Sequence, residues 1–287
     1  MRWPLILLFA LSAACGKKSE EAPAPSPQGS GAAAARIISL TPSATEVMAA
    51  LGATSLLVGV DDYSEYPPAV KQLPKVGSFL TPNLEAIVRL RPTLVIVDDI
   101  HTGSAEALED AGIKTVACAM HTLPDVESAL QTIGARIGKS AEATQIAADI
   151  DKAIDAAVAR RPAKRPKVLA IIDREAGGLG NLVAAGTGSY VDELLALVGG
   201  ANVLAGAGIR YPKLSMEEVL RAQPEVILDL SYAARGERGM DPWKTVEVPA
   251  AKSGRLHALS EPYLIAPSPR VTLALETMAN AIAEPAR

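Results

Sequence analysis

The chain has 287 residues, of which 49% are hydrophobic and 3% aromatic, and its formal net charge is −4. Its longest basic segment, RRPAKRPK from Arg160 to Lys167, follows a predicted helix and precedes a predicted strand, which indicates a solvated turn. The acidic balance and this placement exclude a nucleic-acid-binding protein, and the length suffices for two modest lobes with a core each.

The residues up to Cys15 indicate export. Arg2 supplies a positive charge, the apolar stretch 5–11 is too short to span a bilayer, and small residues precede Cys15. This pattern predicts a signal peptide over residues 1–14 and resembles a bacterial lipoprotein signal, in which the cysteine is acylated and becomes the first mature residue. Ser12 stands where such signals usually have leucine, so an ordinary secretory signal is the alternative.

Residues 15–35 are predicted to form a lipid anchor and a disordered linker, because the segment is rich in Pro, Gly, Ser and Ala and offers little to pack. The expected location is therefore periplasmic or at the cell surface, with a membrane anchor through Cys15. The second cysteine, Cys118, lies in an apolar predicted strand and is expected to be a buried, inert thiol.

In residues 36–138, predicted strands alternate with predicted helices. The strands are Ile37–Leu40, Leu57–Val60, Leu94–Val97 and Thr115–Ala119, and the helices are Ala44–Leu51, a short one around Glu85, and Ser104–Ala111. Continuous apolar runs such as LVIV are typical of parallel strands that helices cover on both faces. The segment is therefore predicted to be an N-terminal α/β lobe.

Residues 139–162 are predicted to form one long helix between the lobes. Ser140 is the expected N-cap, apolar residues recur at four-residue spacing from Ile146, and Pro162 ends the pattern. A helix of about 20 residues spans about 30 Å, so it would link two lobes rigidly.

Residues 163–287 are predicted to be a second α/β lobe. It contains strand Val168–Ile172, a glycine-rich excursion around Gly177 to Gly180, helix Tyr190–Leu197, strand Val226–Leu230, a last strand near Leu256 and a closing helix Pro269–Ile282. Both lobes are expected to have mainly parallel sheets.

The position of a ligand cleft follows from this α/β pattern. Ligands of such sheets bind outside the carboxyl ends of the strands. A cleft between the lobes is therefore expected, lined by the loops that start at Thr41, Asp61, Asp98, Asp173 and Ser231.

One phrase occurs twice, as LEAIVRLRPTLVIV from Leu84 and as MEEVLRAQPEVILD from Met216. In both copies a short helix leads past a proline into an apolar strand, and an acidic residue, Glu85 or Glu217, occupies the first helical turn. An acidic residue there complements the helix dipole, so each glutamate can be a capping charge. Because the two glutamates occupy matching positions on similar lobes, a second interpretation is that they form a symmetric pair of contact points for a partner.

The segments RIISLTPSATEVMAALG, VGVDDYSEYPP, KVGSFLTPNLEAIVRLRPTLVI, YPKLSMEEVLRAQPEVIL and SPR are similar to those of the periplasmic substrate-binding proteins of ABC importers that carry cobalamin, haem and ferric siderophores. The resemblance covers essentially all of the chain after Arg36. It implies two α/β lobes joined by one rigid helix. It also implies that one glutamate on each lobe, here Glu85 and Glu217, docks against arginines of the membrane permease.

Within that family, the first three segments are most similar to cobalamin binders. The resemblance places Tyr63 at a corrin-contacting position and Phe79 and Tyr211 where the cobalamin-binding member has tryptophans, while Asp98 replaces a further tryptophan. Aromatic faces suit a large flat macrocycle. The expected ligand-binding residues are Ser43, Tyr63, Phe79, Asp98, Tyr211 and Tyr263.

Haem is the nearest alternative ligand. Haem-binding relatives commonly have a tyrosine at the position of Phe79, and phenylalanine offers no oxygen to iron. His101 follows a predicted strand and is interpreted as a solvated loop residue, because no second histidine lies at ligand spacing. His121 and His257 are interpreted as strand-end or surface residues, and no metal site is expected.

An exported hydrolase is the alternative from another class. GTGSYVDELL from Gly186 does not match G-x-S-x-G, and neither it nor GGLGN completes G-x-G-x-x-G, so Ser189 is interpreted as a helix N-cap. No catalytic residue and no cofactor are expected.

The sequence therefore predicts a monomeric, lipid-anchored protein that captures cobalamin and delivers it to an ABC permease and its ATPase. A haem or siderophore binder for an iron importer, or a tethered sensor that never meets a permease, remains open.

Overall fold

The computed structural model describes residues 35–206, 208–236 and 238–283. The predicted signal peptide, Cys15 and nearly all of the predicted linker lie outside the described residues. The described residues form two α/β lobes, and both lobes belong to one compact structural unit that begins at Ala35.

The first lobe has a parallel sheet. Its elements are β1 (Ile37–Ser39), α1 (Pro42–Ala50), β2 (Leu57–Val60), α2 (Leu84–Arg89), β3 (Leu94–Val97), α3 (Thr102–Asp110), β4 (Thr115–Ala117) and α4 (Leu123–Ile137). The strand order is β2-β1-β3-β4, and every pair is parallel. Alternate residues of β1 enter different clusters, Ile37 on one face and Ile38 on the other. Burial on both faces explains the continuous apolar runs of the sequence.

The long helix α5 (Ser140–Ala159) connects the two lobes and packs against helices of both. Gly138, in the left-handed conformation with φ 73°, ends α4, and Lys139 is the N-cap of α5. Ser140, the expected cap, is therefore the first helical residue. Across the described ranges, every helix falls short of the length or the hydrophobicity that a bilayer crossing requires.

The second lobe has a mixed sheet. Its elements are β5 (Lys167–Asp173), β6 (Leu182–Ala184), α6 (Tyr190–Val198), β7 (Ala201–Asn202), β8 (Lys213–Leu214), α7 (Met216–Ala222), β9 (Val226–Asp229), α8 (Asp241–Lys244), α9 (Pro249–Lys252), β10 (Leu256–Ala258) and α10 (Val271–Ala283). The strand order is β10-β9-β5-β6-β8, with β7 also pairing with β5.

The antiparallel pairing of β6 with β5 and β8 differs from the mainly parallel sheet expected for this lobe. The glycine-rich excursion between β5 and β6 is too short to hold a crossover helix, so the chain can only return antiparallel. The parallel pairs β5–β9 and β9–β10 agree with the expectation.

The largest buried cluster runs through both lobes. It includes side chains of α1 and α4, continues through Ile150 of α5, and ends among residues of α6 and α10 such as Leu194 and Met278. Cys118 belongs to this cluster, and its burial raises the pKa of the thiol to about 11. Cys118 is 7% exposed, which confirms the predicted burial, and a thiol of raised pKa is less reactive at neutral pH.

Candidate ligand-binding cleft

A cleft of about 570 Å³ lies between the two lobes. Five of the six expected ligand-binding residues line it: Ser43, Tyr63, Phe79, Asp98 and Tyr211. Four of them lie in segments that follow strands of the first lobe, Ser43 in the first turn of α1 and the other three in loops. The expected loops after β5 and β9, which start at Asp173 and Ser231, contribute no described residue to the lining.

Sequence reasoning missed other residues of the cleft lining. These include Leu80, Ile100, Met120, His121, Ile265 and Pro267. Most are apolar and lie in irregular segments, where neither periodicity nor a motif distinguishes a lining residue from a core residue.

Ser43 is positioned by the start of α1. The Thr41 hydroxyl accepts a hydrogen bond from the Ala44 N–H at 3.0 Å, and Pro42 occupies the first helical turn. This cap begins the helix directly after β1, which leaves Ser43 in the first turn at the cleft.

Tyr63 is presented by a tight loop built on Asp61. The Asp61 carboxylate accepts hydrogen bonds from the Tyr63 N–H at 2.9 Å and from the Ser64 hydroxyl, and Lys75 donates to the carbonyl of Ser64 at 2.6 Å. Burial raises the pKa of Asp61, and these hydrogen bonds oppose the shift. The loop is fixed while the Tyr63 side chain is 66% exposed.

His101 connects the Phe79 loop to the end of β3. Its Nδ1 accepts from the Asp98 N–H at 3.0 Å, its Nε2–H donates to the Phe79 carbonyl, and the two rings meet edge to face with centroids 5.3 Å apart. The residue is 4% exposed, so the interpretation as a solvated loop histidine was wrong. The short 3₁₀ turn Asp99–His101 directs the ring inward and makes it a reciprocal cap, which the sequence pattern did not reveal.

Three polar side chains, Asp98, Asp99 and His121, lie together on the first-lobe side of the cleft and are called the acidic edge below. The Nε2 atom of His121 lies 2.8 Å from Asp99 Oδ1 and 3.2 Å from Asp98 Oδ1. One ligand atom from each of the three lies within 4.8 Å of the others, a spacing that a cation could bridge. Sequence reasoning treated His121 as a strand-end residue, because β4 and its loop separate it from the aspartates along the chain.

The protonation of the acidic edge is uneven. Burial, and after it the hydrogen bond with Asp99, raise the pKa of Asp98 to about 6. The same bond, followed by the one from His121, lowers the pKa of Asp99. As the pH falls, Asp98 is therefore the first of the two carboxyl groups to bind a proton, and Asp99 stays ionised to lower pH.

Tyr211 is held on the second-lobe side by backbone pairing. The Gly186 N–H donates to the Arg210 carbonyl at 2.8 Å, and the Ala184 N–H donates to the Pro212 carbonyl at 3.0 Å. A Cβ atom at Gly186 would lie 2.1 Å from the carbonyl oxygen of Ile209, so only glycine permits this approach. The GTGSY segment thus serves close packing, and Ser189 caps α6 as predicted.

Tyr263 is not among the residues that line the cleft. Its ring lies 5.1 Å from the Arg270 guanidinium, and its hydroxyl is 3.4 Å from that of Thr277. Arg270 also stacks on Tyr66 and forms an ion pair with Glu46 of the first lobe, with Nε and Oε2 2.8 Å apart. Tyr263 therefore packs on an ion pair between the lobes, away from the cleft.

Glu85 and Glu217 lie in the first turns of α2 and α7, and both are exposed. The side-chain caps of these helices are Asn83 and Ser215, and the reciprocal partner of Ser215 is Glu218. Each helix precedes a strand of its sheet and runs back from the carboxyl edge, so both glutamates lie at the carboxyl edges of their sheets.

A family model described as periplasmic binding protein matches residues 37–259. The chain belongs to this family. The vitamin B12-binding protein of Vibrio vulnificus (strain YJ016) is 29% identical over 243 residues, which are 84% of this chain and 87% of that protein. The vitamin B12-binding protein of Salmonella typhimurium is 29% identical over 260 residues, with 88% and 91% covered.

Two solved structures share the two-lobe α/β fold. The periplasmic haem-binding protein RhuT from Roseiflexus sp. RS-1 superimposes with a TM-score of 0.76 at 30% identity, covering 88% of this chain and 100% of that one. The periplasmic vitamin B12-binding protein BtuF of Vibrio cholerae gives 0.74 at 27% identity, covering 86% and 96%. The predicted fold and family are confirmed, and these relatives are named as binding proteins.

Proposed function

We propose that the protein captures cobalamin in the cleft between its lobes and delivers it to an ABC permease and its ATPase. The relatives named as vitamin B12-binding proteins support this ligand, and the exposed rings of Tyr63 and Tyr211 offer faces for a flat macrocycle. The protein acts as a monomeric binding protein and has no catalytic role.

The charges of the residues that line the cleft favour cobalamin over haem as the ligand. Among the described residues that line it, none is lysine or arginine, and Asp98 is acidic. Haem has two propionate carboxylates, whose burial without cationic partners is costly, whereas the rim of cobalamin carries neutral carboxamides. Phe79 also lacks an oxygen for iron. Haem remains the second candidate because RhuT, a haem-binding protein, is similar over its whole length.

Titration of the mature protein with cyanocobalamin, haem and a ferric siderophore tests the ligand. We expect saturable 1:1 binding of cyanocobalamin in calorimetry and absorbance. We expect weaker binding of haem, because the described residues that line the cleft include no lysine or arginine to pair with the propionates. Tighter binding of haem than of cyanocobalamin would overturn the proposed ligand.

The same titration locates the ligand when it is repeated with Phe79→Ala and Tyr211→Ala. Each change should weaken cobalamin binding several-fold, since an aromatic contact contributes about 0.5–1.5 kcal/mol beyond the area it buries. Tyr232→Ala is the control, because Tyr232 is 77% exposed and does not line the cleft. Unchanged affinity in both cleft variants would place the ligand elsewhere.

A lipid on Cys15 anchors the protein in this proposal, and the linker before Arg36 acts as a spacer. Cys15→Ser should move the folded protein from the membrane fraction to the soluble fraction, because the acyl chains supply most of the attachment. Cys118→Ser, a change at the buried thiol, should leave the protein membrane-bound. A Cys15→Ser protein that still sediments with membranes would contradict the anchor.

Glu85 and Glu217 are the proposed contacts with the permease. Their caps are provided by Asn83 and by Ser215 with Glu218, so a capping role leaves little for either glutamate to add. A tethered sensor would bind the same ligand without a permease, and transporter genes beside this one would argue against it.

A further inference from the structure

We propose that the acidic edge of Asp98, Asp99 and His121 selects macrocycles whose rim carries primary carboxamides and rejects those that carry a carboxylate there. This inference rests on the proposed function, because it assigns the determinant of ligand choice within the same cleft. The cobalamin-binding resemblance does not supply it, since Asp98 stands where that member has a tryptophan.

The acidic edge and the Phe79 ring form one connected structure. The imidazole of His101 joins the Asp98 backbone to the Phe79 carbonyl, so the end of β3 and the Phe79 loop are held at a fixed spacing. A flat ligand that packs on Phe79 therefore brings its rim to the acidic edge. Asp99 is not itself a lining residue, but it lies in the sequence between Asp98 and Ile100, which line the cleft, and its carboxylate is 2.8 Å from Nε2 of His121, which also lines it.

Asp99 is the exposed acceptor of the edge. Its side chain is 55% exposed, whereas that of Asp98 is 1% exposed and that of His121 is 29% exposed. In the described part of the chain, the ion pairs of both aspartates go to His121 alone. Two carboxyl groups thus share one imidazole, and no lysine or arginine among the described residues forms an ion pair with either of them.

This charge distribution favours hydrogen-bond donors and opposes anions. A carboxamide NH₂ can donate to the Asp99 carboxylate without changing the net charge of the site. A ligand carboxylate at the same place offers only acceptors and meets a like charge, which is unfavourable at a partly desolvated surface. The edge therefore distinguishes two groups of nearly the same shape.

The test uses cyanocobalamin and its monocarboxylic acid derivatives, in which one peripheral carboxamide is replaced by a carboxylate. The wild-type mature protein should bind at least one isomer about ten-fold more weakly than cyanocobalamin, as expected for one unfavourable charge contact. Asp99→Asn should reduce that ratio to about two-fold or less, because asparagine keeps the shape and removes the repulsion.

Asp110→Asn is the matched control. It removes the same charge from the same lobe at the exposed end of α3, at the opposite edge of the sheet, so its discrimination ratio should equal that of the wild type. Asp98→Asn, measured in parallel, reports whether the buried carboxyl shares the effect. Circular dichroism establishes that each variant is folded.

Each outcome is decisive. A ratio that falls in Asp99→Asn and stays constant in Asp110→Asn supports the acidic edge as the selecting element. Equal affinity of the wild type for cyanocobalamin and every isomer, or a ratio unaffected by both Asp98→Asn and Asp99→Asn, overturns this inference and leaves cobalamin as the ligand. Absence of cyanocobalamin binding by the wild type overturns the proposed ligand and the inference together.

Discussion

Arg174→Met is expected to lower the free energy of unfolding by about 3–5 kcal/mol, because it leaves a buried carboxylate without its cation. The side chains of Arg174 and Asp229 are both 0% exposed, and Arg174 Nε lies 2.6 Å from Asp229 Oδ2. Asp229 also accepts hydrogen bonds from the Trp243 indole N–H at 2.8 Å and from the Ser231 hydroxyl at 2.6 Å. These bonds cannot replace the lost positive charge.

The loss should extend to two loops of the second lobe. Arg174 donates to the carbonyl of Gly178 at 2.9 Å and to that of Gly239 at 2.5 Å, so one guanidinium ties the excursion after β5 to the segment before α8. Hydrogen exchange in both segments should accelerate in Arg174→Met.

Chemical denaturation measures this effect. Lys152→Met is the control, because its ion pair with Asp149 is exposed and such pairs contribute at most about 1 kcal/mol. The double variant Arg174→Met, Asp229→Asn should recover part of the stability, since asparagine carries no charge and still accepts from Trp243. A loss below about 1 kcal/mol in Arg174→Met would contradict the assigned role of the pair.

The first lobe was the more predictable one, because its strands are continuous apolar runs separated by helices. That pattern requires a parallel sheet, and the rule that ligands lie beyond the carboxyl ends of strands then located the loops at Thr41, Asp61 and Asp98. The second lobe departs from the pattern at β6 and β8, two short strands whose antiparallel pairing depends on the length of a loop.

The candidate site was also only partly predictable from the sequence. Ser43, Tyr63, Phe79, Asp98 and Tyr211 meet at one cleft, as the resemblance implied. Tyr263 is the exception: its ring lies 5.1 Å from the guanidinium of Arg270, which is paired with Glu46 of the first lobe.

The buried position of His101 and the meeting of His121 with the aspartates arise from contacts between loops that are remote in the chain. Local sequence patterns do not encode such contacts.

Charge reversal of Glu85 and Glu217 should abolish delivery of ligand to the permease while leaving ligand affinity unchanged. Both glutamates lie at the carboxyl edges of their sheets, one on each lobe, and the Glu85 side chain is 85% exposed. In the proposed docking, the permease contacts both of these edges when it receives the ligand. Each glutamate would then face a permease cation in a partly desolvated interface, where reversal turns attraction into repulsion.

Reconstituted transport with the cognate permease and ATPase separates docking from capping. The Glu85→Lys, Glu217→Lys protein should show the largest loss of transport, because both lobes must engage at once, and each single variant should lose less. Glu142→Lys is the matched control, since Glu142 is also an exposed first-turn glutamate but lies on α5 outside the repeated pair. If Glu85 and Glu217 only complement helix dipoles, the single reversals of Glu85, Glu217 and Glu142 should each cost about 1 kcal/mol of stability or less and leave transport intact. Normal delivery by the double variant would therefore return Glu85 and Glu217 to the capping interpretation.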